Sequence, residues 1–319
     1  MTNRKLYLGI DGGQSSTTAL IGDEEGSVLG SGRGGPCNHV SAAEGRAKFL
    51  NAIGGCVSQA CAEAGLDPAS VTFEAVCGGF SGGPEDKEAL LRELVPSKAL
   101  KVTNDAVIAL SGAHAGKPGV ITIAGTGSIS YARAADGRLS RAGGWGYIYG
   151  DEGGGFDLTR QALRAALRYE EGWGPPTALH GVLLQRTGAR NANDLLHQFY
   201  ASAFSRPEIA AMSQLVDDAA RNGDPVAYGI VTNAAQQLAM ITSAVRHQAF
   251  APSESTAIAY IGGVFKSELL LERFRSVVEL EDGNVVSPPL YGPATGALLE
   301  AYALAGLQPT LRNVPEFEK

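Results

Sequence analysis

The feature that most constrains the fold is a glycine turn that occurs twice, each time between two short apolar segments. In the first copy, residues 6–10 lead into DGGQSS at 11–16, and an apolar segment at 17–22 follows. In the second, residues 119–124 lead into GTG at 125–127, and SISYA follows. Short apolar segments joined by a glycine turn indicate a β-hairpin. The chain therefore carries an internal repeat of two hairpin units.

The repeat predicts two similar domains that face one another across a cleft. We place the first at residues 1–116, together with the C-terminal helix at about 293–319, and the second at residues 117–292. Strands alternate with helices, which favours mostly parallel, wound sheets. After Asp151 the pattern is largely helical, and helices are predicted over residues 152–169, 175–187, 192–199, 207–222 and 224–250.

Charge and composition narrow the class of protein. The 319 residues include 26 basic and 33 acidic side chains, a net charge of −7. This argues against a nucleic-acid partner but not against a nucleotide, which needs only a local site. No apolar run approaches the roughly 20 residues of a membrane span, and no secretory signal precedes the first strand. We expect a cytoplasmic protein, with no membrane partner and four cysteines that are buried free thiols.

The common phosphate motifs do not fit this sequence. The segment SGAHAGKPG at 111–119 lacks the spacing of a P-loop, and the GTG turn lacks the third glycine of a dinucleotide fingerprint. A tight glycine hairpin can instead point backbone N–H groups at phosphate oxygens. Asp11 would repel phosphate directly, so we expect it to hold hydrated Mg²⁺ that bridges to the phosphates.

Three further motifs contain residues suited to catalysis or to ligand binding. Asp105 follows an apolar strand, where it suits a general base, although Asn104 or Asp105 also suits a helix N-cap. The segment GGWGYIYGDEGGG at 143–155 offers a tryptophan ring and acidic residues to a sugar, or it is a turn before an acidic helix start. The glycines at 262–263 would let a flat base approach the backbone, while Lys266 would contact a phosphate or remain solvated.

Together these motifs resemble the actin-like ATPase superfamily, which includes sugar kinases and heat-shock-type chaperones. Within it, the chain is similar from about residue 6 to residue 301 to N-acetylglucosamine kinases and BadF-type ATPases. The motifs that carry the resemblance are CNH at 37–39, ND at 104–105, AGTGS at 124–128, GGWGxxxGDEG at 143–153 and GGVFKS at 262–267. The resemblance implies an α/β fold of two actin-like (ribonuclease H-like) ATPase domains, with a central cleft that closes on ATP and sugar.

The resemblance also implies roles for individual residues. Asp105 would deprotonate the sugar 6-hydroxyl, and Asp11 would organise Mg²⁺. The residues expected to bind the nucleotide are Asp11, Gly12, Gly13, Ser15, Gly125, Thr126, Gly127, Gly262, Gly263 and Lys266. Those expected to bind the sugar are Asn38, Ser128, Gly144, Trp145, Gly146 and Asp151. Ile129 departs from the pattern of the animal N-acetylglucosamine kinases, which have Asn at this position.

The sequence thus predicts an ATP-dependent amino-sugar 6-kinase that uses Mg²⁺, forms a homodimer and acts on N-acetylglucosamine. Glucosamine and N-acetylmuramic acid remain alternative substrates. A BadF-type activator ATPase is an alternative from another class, but its cluster-binding cysteines have no counterpart beside the second hairpin. A sugar-sensing regulator would need a DNA-binding segment, and the first strand begins within the first ten residues.

Overall fold

The computed structural model describes residues 4–13, 16–37, 43–81 and 87–319. By its internal contacts the chain divides into two compact units. The first consists of two separate segments, Met1–Pro118 and Pro289–Lys319, and the second is Gly119–Pro288.

The first unit contains a five-stranded sheet in the order β3-β2-β1-β4-β5. Its strands are β1 (Leu6–Gly12), β2 (Thr17–Asp23), β3 (Val28–Gly34), β4 (Phe73–Phe80) and β5 (Ser97–Asn104). Its helices are α1 (Ala43–Glu63), α2 (Lys87–Leu94), α3 (Asp105–Ala113) and α11 (Pro293–Leu304). Successive side chains of a strand point to opposite faces. Accordingly, Leu8 and Ile10 join a core with α1, while Tyr7 joins a second core with α11.

The second unit contains another five-stranded sheet, in the order β10-β9-β6-β7-β8. Its strands are β6 (Gly119–Ala124), β7 (Ser128–Arg133), β8 (Leu139–Gly143), β9 (Thr256–Ile261) and β10 (Asn284–Ser287). Its helices are α4 (Gly155–Glu170), α5 (Leu179–Thr187), α6 (Ala192–Tyr200), α7 (Arg206–Ala211), α8 (Ser213–Arg221), α9 (Pro225–Ala249) and α10 (Glu268–Val278). All of these helices except α7 contribute side chains to one hydrophobic core with the sheet.

The expectation of mostly parallel sheets is wrong, because each sheet is mixed. In the first, β1 pairs antiparallel with β2 and β2 with β3, whereas β1–β4 and β4–β5 are parallel. In the second, β6–β7 and β7–β8 are antiparallel, and β6–β9 and β9–β10 are parallel. The reason is that each glycine turn reverses the chain within a few residues. Two strands joined by such a short turn can pair only in the antiparallel direction.

Three predicted helices have different bounds in the structure. The helix expected at 152–169 begins at Gly155, since Asp151 and Gly153 have φ angles of 62° and 77°. The helix expected at 175–187 begins at Leu179. Pro176 disfavours helical geometry at residue 175, and Thr177 and Ala178 donate hydrogen bonds to the Asp224 carboxylate. The helix expected at 207–222 is divided at Met212, whose N–H donates to the carbonyl three residues earlier.

The four cysteines are all free and buried, as expected. Within the part of the chain that the structure describes, no helix has the length and apolar character needed to cross a membrane.

Candidate active site

One group of candidate site residues lies at the carboxyl edge of the first sheet. Gly12 at the end of β1 is in register with Phe80 of β4, which is in register with Asn104 of β5. Asp11 and Asp105 flank these register positions. The parallel pairing of β1, β4 and β5 therefore brings two predicted site residues, far apart in sequence, to one edge of the sheet.

The carboxyl group of Asp11 lies in a strongly anionic environment. Its pKa is raised to about 7, chiefly by burial and then by the negative charges of Glu318 and Asp105. Glu318 is itself buried, and its carboxylate accepts a hydrogen bond of 2.8 Å from the Thr295 N–H in the first turn of α11. A buried carboxylate with other acidic groups nearby gains from a divalent cation.

The donor set fits Mg²⁺ bound with a nucleotide. Among the residues described, no three His, Cys, Asp or Glu side chains are grouped so as to ligate a metal ion by themselves. Mg²⁺ commonly uses only one or two protein carboxylates and completes its shell with water and substrate phosphates. Asp11 would hold the ion in this manner.

The first glycine turn is closed by backbone hydrogen bonds. The Gly13 N–H donates to the Ser16 carbonyl at 2.9 Å, and the Ser81 N–H donates to the Gly12 carbonyl at 3.2 Å. The turn is thus tied to both β2 and the end of β4. Two predicted site residues, Ser15 and Asn38, lie outside the described residues.

Of the two residues that the sequence offered as the cap of α3, the structure shows Asn104 in that position. The Asn104 side chain caps α3 by accepting a hydrogen bond of 2.9 Å from the Val107 N–H. The Asp105 carboxylate accepts a hydrogen bond of 2.9 Å from the Ala106 N–H, and the side chain is exposed. The cap is confirmed, and Asp105 is left accessible to a substrate.

The second glycine turn, at the end of β6, is joined to the start of α4. The Gly125 N–H donates to the Gly127 carbonyl at 2.9 Å. The first N–H groups of α4, from Gly155 and Phe156, donate to the carbonyls of Gly125 and Thr126 at 2.8 and 3.1 Å. Thr126 is exposed on the turn. The helix start thus fixes the hairpin and leaves the Thr126 side chain accessible.

The loop after β8 folds back on the start of β7. The Ser128 hydroxyl donates to the Glu152 carbonyl at 2.6 Å, and the Asp151 carboxylate accepts from the backbone N–H groups of Gly146 and Ser128. Burial raises the pKa of Asp151, although these N–H donors oppose the shift. A Cβ on Gly127 would lie 2.3 Å from the Asp151 carboxylate, so glycine is needed there.

Trp145 stands on this loop with its side chain open to solvent. It is 68% exposed, and the Arg141 guanidinium lies 4.8 Å from the ring centroid. The neighbouring Gly144 and Gly146 have φ angles of 71° and 81°. The structure therefore brings five predicted sugar contacts into one loop and strand start: Ser128, Gly144, Trp145, Gly146 and Asp151.

The glycine pair after β9 lies directly against the second hairpin. Gly262 has a φ of 117°, and a Cβ there would come within 2.2 Å of the Ala124 carbonyl oxygen, so only glycine fits. A cavity of about 540 Å³ adjoins this contact and is lined by Gly125, Thr126, Gly263 and Lys266 among others. Four predicted nucleotide contacts thus meet in one cavity of a size suited to a small ligand.

Among the acidic residues of these sites that sequence reasoning missed are Glu318 and Asp217. Glu318 lies near Asp11, and Asp217 lines the cavity beside Lys266. Neither stands in a glycine motif or at the end of a strand, so no local pattern marked them. Each reaches its site through tertiary packing alone.

Comparison with known proteins assigns the family. The model of the BadF/BadG/BcrA/BcrD ATPase family matches residues 8–301. The chain therefore belongs to this ATPase family, which implies use of ATP.

Three proteins with kinase names are similar to this chain over most of its length. The chain is 34% identical over 285 residues to an N-acetylmuramic acid/N-acetylglucosamine kinase of Clostridium acetobutylicum, covering 86% of this chain and 91% of the relative. It is 30% identical over 314 residues to an N-acetyl-D-glucosamine kinase of Dictyostelium discoideum, covering 94% and 98%. The crystal structure of a provisionally named N-acetylglucosamine kinase from Chromobacterium violaceum superposes with a TM-score of 0.73 at 26% identity, covering 92% and 98%.

Proposed function

We propose that this protein transfers the γ-phosphoryl group of ATP to the 6-hydroxyl of an amino sugar, with N-acetylglucosamine as the preferred acceptor. The observation that carries the proposal is the exposed Asp105 carboxylate at the sheet edge, at the register level of the first glycine turn. The relatives named above phosphorylate sugars of this class, which supports the same acceptor here.

Asp105 acts as the general base. Its carboxylate accepts the proton of the sugar 6-hydroxyl as the oxygen attacks the γ-phosphorus. Asn104 orients it by fixing the start of α3 through the Val107 N–H. The exposed position leaves room for a hydroxyl to approach.

The glycine turn of the second unit and the cavity beside it bind the nucleotide. The exposed Thr126 hydroxyl and the hairpin N–H groups suit the phosphates, and Gly262 and Gly263 bring the backbone close to the base. When bound at Asp11, Mg²⁺ neutralises negative charge on the phosphates. In binding the sugar, Trp145 gives an apolar surface to one ring face, while Asp151 holds the loop in place.

The assay that tests the proposal is ADP release from Mg-ATP with separate additions of N-acetylglucosamine, glucosamine, N-acetylmuramic acid, N-acetylmannosamine and glucose. We expect strong stimulation by N-acetylglucosamine and a product that is phosphorylated at the 6-position, as read by NMR. Stimulation by another amino sugar would correct the acceptor and preserve the kinase. Sugar-independent hydrolysis would contradict the proposal and favour an activator ATPase.

We further propose that the protein is a cytoplasmic homodimer. Sedimentation equilibrium of the purified chain, at a mass of 33.0 kDa per protomer, distinguishes a dimer from a monomer. Cell fractionation tests the compartment.

A further inference from the structure

The cavity of the second unit is lined by two acidic residues, Asp217 and Glu268, that the phosphates of a nucleotide cannot explain. Besides the glycine turns, its lining includes Ala210 and Ala211 at the end of α7, and Asp217 and Arg221 on α8. A carboxylate repels phosphate oxygens. Asp217 must therefore face a different part of any nucleotide that occupies the cavity.

Asp217 is held in a fixed position. Its side chain is only 13% exposed, and one carboxylate oxygen accepts a hydrogen bond from the Ser267 hydroxyl. The other lies 3.2 Å from the Arg221 Nε in an ion pair. The Ser267 hydroxyl oxygen also accepts a hydrogen bond of 3.1 Å from the Leu270 N–H at the start of α10. The carboxylate therefore does not have to be ordered when a ligand binds.

Asp217 retains acceptor capacity after these two contacts. An ionised carboxylate has about four lone-pair sites, and Ser267 and Arg221 use two of them. A nucleotide presents donors of two kinds, the ribose hydroxyls and the amino group of adenine. Adjacent hydroxyls match the two oxygens of a carboxylate, and an acidic residue is the usual partner of the ribose 2′-hydroxyl in dinucleotide sites.

We propose that Asp217, held by Ser267 and Arg221, binds the ribose hydroxyls and is the residue that distinguishes ribonucleotides from deoxyribonucleotides. This inference rests on the proposed function only in assigning the cavity to the nucleotide. The ribose takes no part in phosphoryl transfer. Asp217 therefore contributes to binding in the ground state and the transition state alike, and its loss raises KM with little change in kcat.

The test is calorimetric binding of ADP and 2′-deoxy-ADP. Wild-type protein should bind ADP more tightly by about 10- to 100-fold, since a hydrogen bond to a charged group is lost in the deoxy form. In Asp217→Ala, ADP binding should weaken and the preference should fall to within about 3-fold. Asp217→Asn keeps the shape and one acceptor oxygen, so it should retain an intermediate preference even if the alanine variant folds poorly.

The matched control is Asp218→Asn. Asp218 is the next residue on α8 and pairs with the same Arg221, but its side chain is 45% exposed and does not line the cavity. This variant should keep the wild-type preference. Equal binding of the two nucleotides by wild-type protein would overturn the inference. An equal loss of both in Asp217→Asn would also overturn it, because that result indicates a structural role or a contact with adenine.

The binding assay separates this inference from the proposed function, since it requires no sugar. Ribose preference that depends on Asp217, without phosphorylation of any amino sugar, would uphold the inference and overturn the kinase assignment. Sugar phosphorylation with equal efficiency for ATP and 2′-deoxy-ATP would uphold the kinase assignment and overturn the inference about Asp217. Failure to bind ADP would overturn both.

Discussion

At the scale of single residues, Asp105 is the group on which the proposed chemistry depends most. Replacing Asp105 with Asn removes the proton acceptor but keeps an oxygen for the Ala106 N–H. We expect kcat to fall by about 10²- to 10⁴-fold, the usual contribution of a general base. Sugar affinity, measured by calorimetry, should change only a few-fold, because asparagine keeps the size of the side chain and its hydrogen bond with Ala106.

The control for this variant is Asp136→Asn in the turn between β7 and β8. The Asp136 side chain is 65% exposed and pairs with Arg138 on the surface. The Asp136→Asn substitution removes one carboxylate from the chain but leaves the candidate site residues unchanged, so kcat should stay at the wild-type value. Near-normal turnover in Asp105→Asn would rule out Asp105 as the base.

Residues in local patterns were predictable, and residues positioned by packing were not. The Asn104 cap followed from a polar residue between a strand and a helix, and the structure contains it. The buried Glu318 carboxylate lies near Asp11 although more than 300 positions separate them in the chain. No spacing rule reaches that far, because the return of the tail to the start of α11 is decided by tertiary packing.

At the scale of elements, the role of the loop after β8 can be tested by comparing its tryptophan with a second, similarly exposed tryptophan elsewhere in the chain. Trp145 on this loop and Trp173 after α4 are 68% and 65% exposed, and an arginine lies 4.8 or 4.9 Å from each ring centroid. Trp145→Ala should raise KM for the sugar by about 10-fold, since it removes an apolar surface against the ring. KM for ATP should not change.

Trp173→Ala is the control. It removes the same exposed surface and the same kind of cation–π contact, but from a position outside the sugar loop. Its KM for the sugar should equal that of the wild type. An equal rise in KM for both variants would show that the effect is not specific to the loop.

The N-terminus of α9 allows a test of stability. Asp224 caps this helix through the N–H groups of Val226 and Ala227, and it also accepts hydrogen bonds from Thr177 and Ala178. Asp224→Ala should therefore lower the free energy of unfolding by about 3 kcal/mol, more than a cap alone contributes. Asn191→Ala, which removes the single capping bond of α6, should cost about 1 kcal/mol.

The effect of Asp224 should depend on pH. Burial alone would raise its pKa, but the four donors outweigh burial and hold the pKa below the usual value. A carboxyl group with a lowered pKa in the folded state stabilises the protein above its unfolded pKa, and this contribution is lost as the pH falls through the folded value. Urea unfolding should therefore show the gap between wild type and Asp224→Ala shrinking below about pH 4. A gap that is constant to pH 3 would contradict this account.

At the scale of the whole molecule, the internal repeat extends beyond the two hairpins that revealed it. Each sheet has three antiparallel strands from consecutive segments and two parallel strands added beside the first of them. The hairpins could be predicted from the sequence because each has a glycine turn between two short apolar segments. The β4–β5 and β9–β10 pairings depend on helical crossovers of many residues, and β10, with only four residues, had no detectable signal.

The last prediction concerns the return of the C-terminal segment to the first unit. Helix α11 packs on the face of β1 opposite to α1, with Leu298 and Tyr302 fully buried. The Tyr302 ring lies 4.6 Å from that of Tyr7, and its hydroxyl donates to the Asp23 carbonyl at 2.7 Å. A chain that ends at Pro288 would expose to water the part of this face that α11 covers, although Ile108 of α3 would still pack on the sheet. We expect its first unit to lose most of its protection, because burying one such side chain stabilises a fold by about 1.5–3 kcal/mol.

Hydrogen–deuterium exchange tests this with the second unit as the internal control. In the shortened chain, amides of β1 and β4 should exchange rapidly, while those of β6 and β9 should keep their protection, since no residue of the second unit belongs to the removed segment. Tyr302→Phe in the full chain is the milder variant. It keeps the ring and loses only the hydroxyl bond, so it should cost about 1 kcal/mol and leave exchange in the second unit unchanged. Retained protection in β1 after truncation would show that the first unit does not require α11, and a loss confined to the second unit would contradict the division of the chain.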